Sequence, residues 1–174
     1  GLRVLVFGTY DGEIDGNELA KPICPLGYLM LANPIRKAAK ETFSYFAEQG
    51  VEVKVISGDN PRTVSEVAKE AGVEGAERYI DASTLKDEEA MKDAVLKYNV
   101  FGRVTPNQKR QFVQMLKDAG KTVAMTGDGV NDVLALKDAD CSIAMASGSE
   151  AAKNTANLVL LNSDFASLPH IVNE

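Results

Sequence analysis

The sequence predicts an open α/β fold built on a largely parallel sheet, and three observations carry that expectation. Short apolar runs alternate with amphipathic helical patterns from residue 34 almost to the end. The helical patterns open at capping residues and prolines and close at glycines, so each has a defined start and stop. Several apolar runs end in polar, glycine-bearing turns, as strands do where a ligand is held at the carboxyl edge of a parallel sheet.

Residues 2–7 form an apolar run broken only by Arg3 and read as a strand. Residues 8–25 carry glycines, acids and prolines and read as a loop or hairpin connection. A second short apolar run covers 28–31 and stops at Asn33-Pro34. Pro34 opens a helical pattern of Ile35, Ala38, Ala39, Thr42, Phe43 and Phe46, with Gly50 as the residue just past its end. Val51, Val53 and Val55 alternate as in a strand. Asn60-Pro61 then suits an N-cap with proline in the first helical position. Val64, Val67, Ala68 and Ala71 form that helix's apolar face, and Gly72 ends it.

The alternation continues with a short strand at 79–80, and a helix over 86–97 with Met91, Val95 and Leu96 inward. A strand over 100–104 follows. Thr105 and Gln108 sit three apart, the spacing of a capping box, and Phe112, Val113, Met115 and Leu116 line the next helix up to Gly120. The remaining expectations are a strand at 122–125, a helix at 131–137, a strand at 141–145, a helix at 150–156, a strand at 157–161 and a last helix from 165. The regular pattern starts near residue 33, which divides the chain into a strand-and-loop piece, 1–32, and an α/β domain, 33–174.

At 174 residues with 45% hydrophobic and 25% charged content, the chain is long enough for a real core and has globular composition. A net charge of −6 and scattered Lys and Arg give no basic stripe, which argues against a nucleic-acid partner. Cys24 and Cys141 lie far apart among apolar residues and are expected as buried free thiols, not a disulfide. No apolar run reaches the roughly 18 residues of a membrane span. The chain begins at Gly1 without methionine, as a fragment or processed product would.

Three strand ends collect polar residues: Ser57-Gly58-Asp59-Asn60, Thr105-Pro106-Asn107-Gln108-Lys109, and Thr126-Gly127-Asp128-Gly129-Val130-Asn131-Asp132. In one parallel sheet these ends share an edge and can converge on one ligand. Each suits phosphoryl chemistry. Magnesium takes one or two carboxylates, waters and a phosphate oxygen, and Asp128 is such a carboxylate. Gly127 and Gly129 let the backbone turn sharply and approach a phosphate. Ser57 and Gly58 can donate to phosphoryl oxygens, and Lys109 supplies a compact positive charge. Each has a plainer reading as well. A Ser-Gly-Asp-Asn turn also serves as a turn and N-cap. Lys109 alone fits a solvated lysine, and the lone His170 fits a surface or capping residue.

Taken together these segments resemble the motifs of P-type cation-transporting ATPases. TGDGVND followed by ALKDAD resembles their hinge motif, Ile56-Ser57-Gly58-Asp59-Asn60 their TGDN motif, and Val104 to Lys109 their V-x-P-x-x-K motif. Asn33-Pro34-Ile35-Arg36 resembles the D-P-x-R hinge, and Gly1-Leu2-Arg3-Val4-Leu5 the last strand of their nucleotide-binding domain. Val133-Leu134 after TGDGVND resembles a bacterial subgroup, some of whose members transport calcium.

The resemblance implies a haloacid-dehalogenase-like Rossmannoid fold: a mostly parallel sheet with flanking helices. It implies a membrane pump that hydrolyses ATP through an aspartyl phosphate, with Mg2+ as cofactor. This chain would be the carboxyl-terminal part of the cytoplasmic region, on the cytoplasmic face of the membrane, and soluble when isolated. Its partners would be the rest of the polypeptide (transmembrane, actuator and nucleotide-binding parts), ATP and the transported cation. By position, Asp128 would bind magnesium, Ser57, Gly58, Lys109 and Asn131 would hold the phosphoryl group, and Asp132 would support the site, with Lys109 and Asp132 as its catalytic residues. Arg3, Asp59 and Arg103 would face the nucleotide.

Departures from the family pattern are also visible. No Asp-Lys-Thr-Gly-Thr segment occurs in these residues, so the nucleophile and its strand are expected to be missing and the isolated chain inactive. Ser57 stands for the usual threonine, and Asn33 for the hinge aspartate. In the family the nucleophile strand lies between the strands at 51–56 and 122–125. Its absence would leave two central edges unpaired unless another segment fills the gap, the strands close together, or residues 2–7 insert there. Two other readings stay open: a soluble phosphatase of the same fold, which would need an amino-terminal D-x-D segment, and a non-enzymatic phosphate- or magnesium-binding module.

Overall fold

The computed structural model describes residues 3–14, 16, 18–31 and 34–172, the side chains of Arg3 and Val172 excepted. The expected role of Asn33 and the Gly1-Leu2 start of the first strand lie outside these residues. The chain divides into two compact units, Gly1–Pro34 and Ile35–Glu174.

The smaller unit is an antiparallel hairpin of β1 (Arg3–Thr9) and β2 (Cys24–Leu31), with a bulge between Phe7 and Gly8. Both strands run beyond the apolar stretches that announced them. Gly8 is required here by space: a Cβ would lie 2.2 Å from the Cys24 carbonyl oxygen. Apolar side chains on both faces stay exposed, among them Leu5, Phe7, Tyr28 and Met30.

The larger unit opens with α1 (Ala39–Glu48), β3 (Val55–Ile56), α2 (Pro61–Ala71), β4 (Tyr79–Asp81), α3 (Glu88–Lys97) and β5 (Val100–Gly102). It continues with α4 (Pro106–Asp118), β6 (Ala124–Gly127), α5 (Val133–Asp138), β7 (Cys141–Met145), α6 (Glu150–Thr155), β8 (Leu158–Leu160) and α7 (Leu168–Val172). All its strand pairs are parallel, in two three-stranded sheets ordered β3-β5-β4 and β6-β7-β8.

Local signals set most boundaries. Asn60 accepts the Arg62 amide, Pro61 is the first residue of α2, and Gly72 closes it at φ +88°. Thr105 and Gln108 form the expected capping box on α4. Gly50 and Gly120 take positive φ just past α1 and α4.

Several expectations fail for identifiable reasons. Helix α1 begins at Ala39, four residues after Ile35, and Ala38 at its N-cap position provides no side-chain cap. Strand β3 has only two residues, since its neighbour β5 has three and offers no backbone to pair with Val51 or Val53. Val67 and Leu96 are exposed, and Ser65 and Ala94 are buried in their place. The Ser65 hydroxyl donates to the Ala76 carbonyl at 2.8 Å, which makes its burial tolerable. Cys24 and Cys141 are free, as expected, but exposed: each starts a strand at its open end.

One core spans both parallel sheets. Phe101 of β5, Met125 of β6 and Ala144 of β7 join Val95 of α3 and Phe112, Val113 and Leu116 of α4. The Phe101 and Phe112 rings lie 4.8 Å apart, centre to centre. Helix α4 therefore holds the sheets together where no strand does. Strands β3 and β6 are not paired to each other, and β1 pairs with β2 alone. Residues 3–7 thus pair with neither strand, and β3 and β6 do not pair across the gap. No described residue forms a strand there, so each edge keeps unpaired backbone groups. Among the described residues no helix is long and apolar enough to cross a membrane.

Candidate functional site

The carboxyl ends of β3, β5 and β6 carry the polar residues singled out above, and they are tied together to different degrees. The tightest tie joins two of them. Lys109, in the first turn of α4, donates from Nζ to Asp132 Oδ1 at 2.7 Å, with both side chains largely buried. The other carboxylate oxygen, Oδ2, accepts the Gly129 amide at 3.1 Å. Asp132 is thus occupied on both oxygens and braces the loop after β6. Gly127 is needed because a Cβ there would stand 2.6 Å from the Asp132 Cβ.

Asp128 differs. Its side chain is exposed, and among the described residues its carboxylate has no hydrogen-bond partner. Its backbone is held instead, the carbonyl accepting the Ser149 amide at 2.7 Å. Two carboxylates four residues apart therefore have opposite conditions: Asp132 buried and paired, Asp128 open and free. Asn131, between them, is exposed.

The loop after β3 is organised locally. Ser57 Oγ accepts the Asp59 amide at 3.1 Å, and Asn60 caps α2. Gly58 leaves open space where a side chain would be. The Ser57 carbonyl accepts the Val104 amide at 3.0 Å, and the Asp59 carbonyl accepts the Arg103 amide at 2.8 Å, so this loop is sewn to the end of β5. Arg103 sits at φ +53°, a conformation non-glycine residues seldom adopt. Its guanidinium donates to Asp81 Oδ2 at 2.9 Å. Hydrogen bonds from Ser83, then the charge of Arg103, hold the Asp81 carboxyl below its usual range.

The structure thus brings Lys109 to Asp132, and Ser57 and Asp59 to the Val104–Arg103 turn. No hydrogen bond links Ser57 or Gly58 to the 128–132 loop among the described residues. Arg3 begins β1 in the other unit, and its side chain lies outside the description. Sequence reasoning missed Asp81, which anchors Arg103, and the second contact of the capping residue Gln108, whose Nε2 donates to the Ala82 carbonyl at 2.8 Å. It also missed Ser149. A signal for Ser149 was present: Ser147-Gly148-Ser149 is a fourth polar, glycine-bearing strand end, after β7.

Among the described residues no three acidic, histidine or cysteine side chains cluster to hold a metal on their own. A magnesium ion that shares a phosphate needs only one or two carboxylates, its remaining ligands being water and phosphate oxygens. Asp128 meets that need, because its carboxylate is open, unpaired and fixed at the backbone.

Comparison with known proteins shows the family to which the chain belongs. The haloacid dehalogenase-like hydrolase family matches residues 8–140. A probable cation-transporting ATPase of Streptococcus pneumoniae is 50% identical over all of this chain and 22% of its own length. A calcium-transporting ATPase of Mycobacterium tuberculosis is 48% identical, again over the whole chain and 22% of its length. The chain therefore spans about a fifth of these relatives. Among solved structures, the catalytic domain of a CPx-ATPase aligns with TM-score 0.62 and 25% identity, over 89% of this chain and 51% of that one. A zinc-transporting PIB-type ATPase aligns with TM-score 0.66 and 27% identity, over 86% of this chain and 20% of that one. Similar along its whole length to a segment of cation-transporting ATPases, the chain belongs to the haloacid dehalogenase-like hydrolase family.

Proposed function

We propose that this chain is part of the cytoplasmic catalytic region of a bacterial P-type cation pump: the end of a nucleotide-binding domain, 1–32, followed by a phosphorylation domain, 33–174. The observation that carries the reading is the opposed state of Asp132 and Asp128 beside Lys109. One carboxylate braces the loop and positions the lysine; the other stays free for a cation. Phosphoryl transfer depends mainly on such positioning and on charge placed in advance.

In this reading Asp128 holds Mg2+, which when bound neutralises charge on phosphoryl oxygens. Lys109 adds a second positive charge, aimed by Asp132. The Gly58 amide and the Ser57 hydroxyl donate to a phosphoryl group, and Asn131 helps to hold it. Arg103 and Asp59 face the nucleotide, and Arg3 belongs to the nucleotide-binding part. ATP is the substrate of the whole pump, the rest of the polypeptide is the main partner, and calcium is the first cation to test. These 174 residues hold no Asp-Lys-Thr-Gly-Thr segment, so they supply the surroundings of a nucleophile and not the nucleophile.

Radiolabelled ATP tests this directly. The purified chain should incorporate no acid-stable phosphate from γ-labelled ATP, and the full-length pump should, with Asp128→Asn lowering its incorporation by at least about a hundredfold. Burst incorporation by the chain alone would sink the proposal.

A further inference from the structure

The Asp128 carboxylate has no partner among the described residues, so the fold positions it only through its backbone, which fixes where the side chain departs. That support comes from the turn after β7. The Ser149 amide donates to the Asp128 carbonyl at 2.7 Å. Gly148 packs against the same residue so closely that a Cβ would lie 2.8 Å from the Asp128 carbonyl oxygen and 3.0 Å from its Cα. Space, not backbone conformation, makes glycine necessary here.

The turn is itself held from behind. The Ser147 amide donates to Ser163 Oγ at 2.9 Å. Ser163 is kept at φ +51°, which for a non-glycine residue needs surrounding restraint. Its amide donates to the Leu160 carbonyl at 3.0 Å. Its own carbonyl accepts from Arg36 Nη1 at 3.1 Å, and the same guanidinium nitrogen reaches Asp164 Oδ1 at 3.3 Å. Arg36 is the second residue of the larger unit, where the chain enters it from the smaller one. A continuous series of contacts therefore runs from Arg36 through Ser163 and Ser147 to Gly148, Ser149 and Asp128.

We infer that Gly148 and Ser163 are positioning residues for Asp128, and that Arg36 forms the far end of the same hydrogen-bonded strut. Its geometric part stands by itself; its consequence for magnesium rests on the function proposed above. Ser163→Ala keeps the backbone and removes only the acceptor of the Ser147 amide. Gly148→Ala forces the turn away from Asp128. Arg36→Gln weakens the anchor without touching the turn.

NMR on the 174-residue chain separates these effects. Ser163→Ala should speed hydrogen exchange of the Ser149 amide by about five- to tenfold and move the Asp128 carbonyl resonance, with Val95 and Phe101 unchanged. Gly148→Ala should act in the same direction and more strongly, and Arg36→Gln more weakly. Titration with MgCl2, followed at the Asp128 and Gly129 amides, should show binding about three- to tenfold weaker in Ser163→Ala at an unchanged melting temperature. If Gly148→Ala fails to fold, Ser163→Ala decides. A folded Ser163→Ala chain with wild-type Ser149 exchange and a wild-type Asp128 resonance overturns the inference. If magnesium moves no Asp128 resonance in the unaltered chain, the metal reading fails instead, and exchange alone judges the strut.

Discussion

The loop after β3 and the loop after β6 look alike as sequence and are built differently. Both follow a short parallel strand and carry glycine, aspartate and asparagine. In the β3 loop the side chains of Ser57 and Asn60 both bond amides two residues away. In the β6 loop the bracing lysine lies 23 residues from Asp132, on another helix. The first loop is capped by its own side chains and tied to the end of β5 through backbone groups alone. In the second a largely buried lysine from α4 holds the Asp132 carboxylate. Long-range bracing fixes a charge in space more firmly than a local turn does, which is what electrostatic catalysis requires.

The largest test of this contrast concerns the core that carries both loops. Phe112→Ala should cost about 3–5 kcal/mol in urea unfolding. Hydrogen exchange should then lose protection in Val100–Gly102 and Cys141–Met145 together, because one core spans both sheets. Loss confined to one sheet would mean the two loops sit on independent halves.

Lys109→Ala should come next, at about 3 kcal/mol, since it strands a buried carboxylate. Asp59→Asn, in the other loop, should stay within about 0.5 kcal/mol. Equal effects in the two loops would erase the distinction. Asn60→Ala should cost about 1 kcal/mol by removing the cap of α2, without altering the Lys109–Asp132 pair. A measurable change at Lys109 Nζ by NMR would show that the loops communicate.

The smallest expected effect is a dependence on pH beneath the β6 strand. The Val123 amide, and then Lys117, lower the Asp140 pKa below its ordinary 3.8. A carboxyl lowered in the folded state stabilises above its unfolded pKa and loses that contribution as pH falls through the folded value. Melting temperature should therefore fall below pH 3.8 less steeply in Asp140→Asn than in the unaltered chain. Parallel curves would remove Asp140 from the support of β6.

Much of the larger unit could be read from neighbouring residues. The caps at Asn60 and Thr105, and the positive-φ glycines at 50, 72 and 120, depend on groups within about four positions of each other. The buried face of α4 follows from helical period alone. Errors arose where the answer depended on a partner. Strand β3 is shorter than its valine alternation because β5 is short. Leu96 points outward because Ala94 and Val95 face α4. Cys24 and Cys141 are exposed because the strands they begin lie open at those ends.

By itself the sequence determined the alternation of strands and helices, the capped helix starts at Asn60 and Thr105, and the residue types suited to phosphate and magnesium. These follow from local backbone preference and side-chain period. Only the tertiary structure decided which aspartate is braced and which is free, that α4 and not a strand joins the two sheets, and that Ser149 supports Asp128. Those facts come from contacts between residues remote in the chain, and such contacts form only once parallel strands, linked by crossover helices, set their ends side by side.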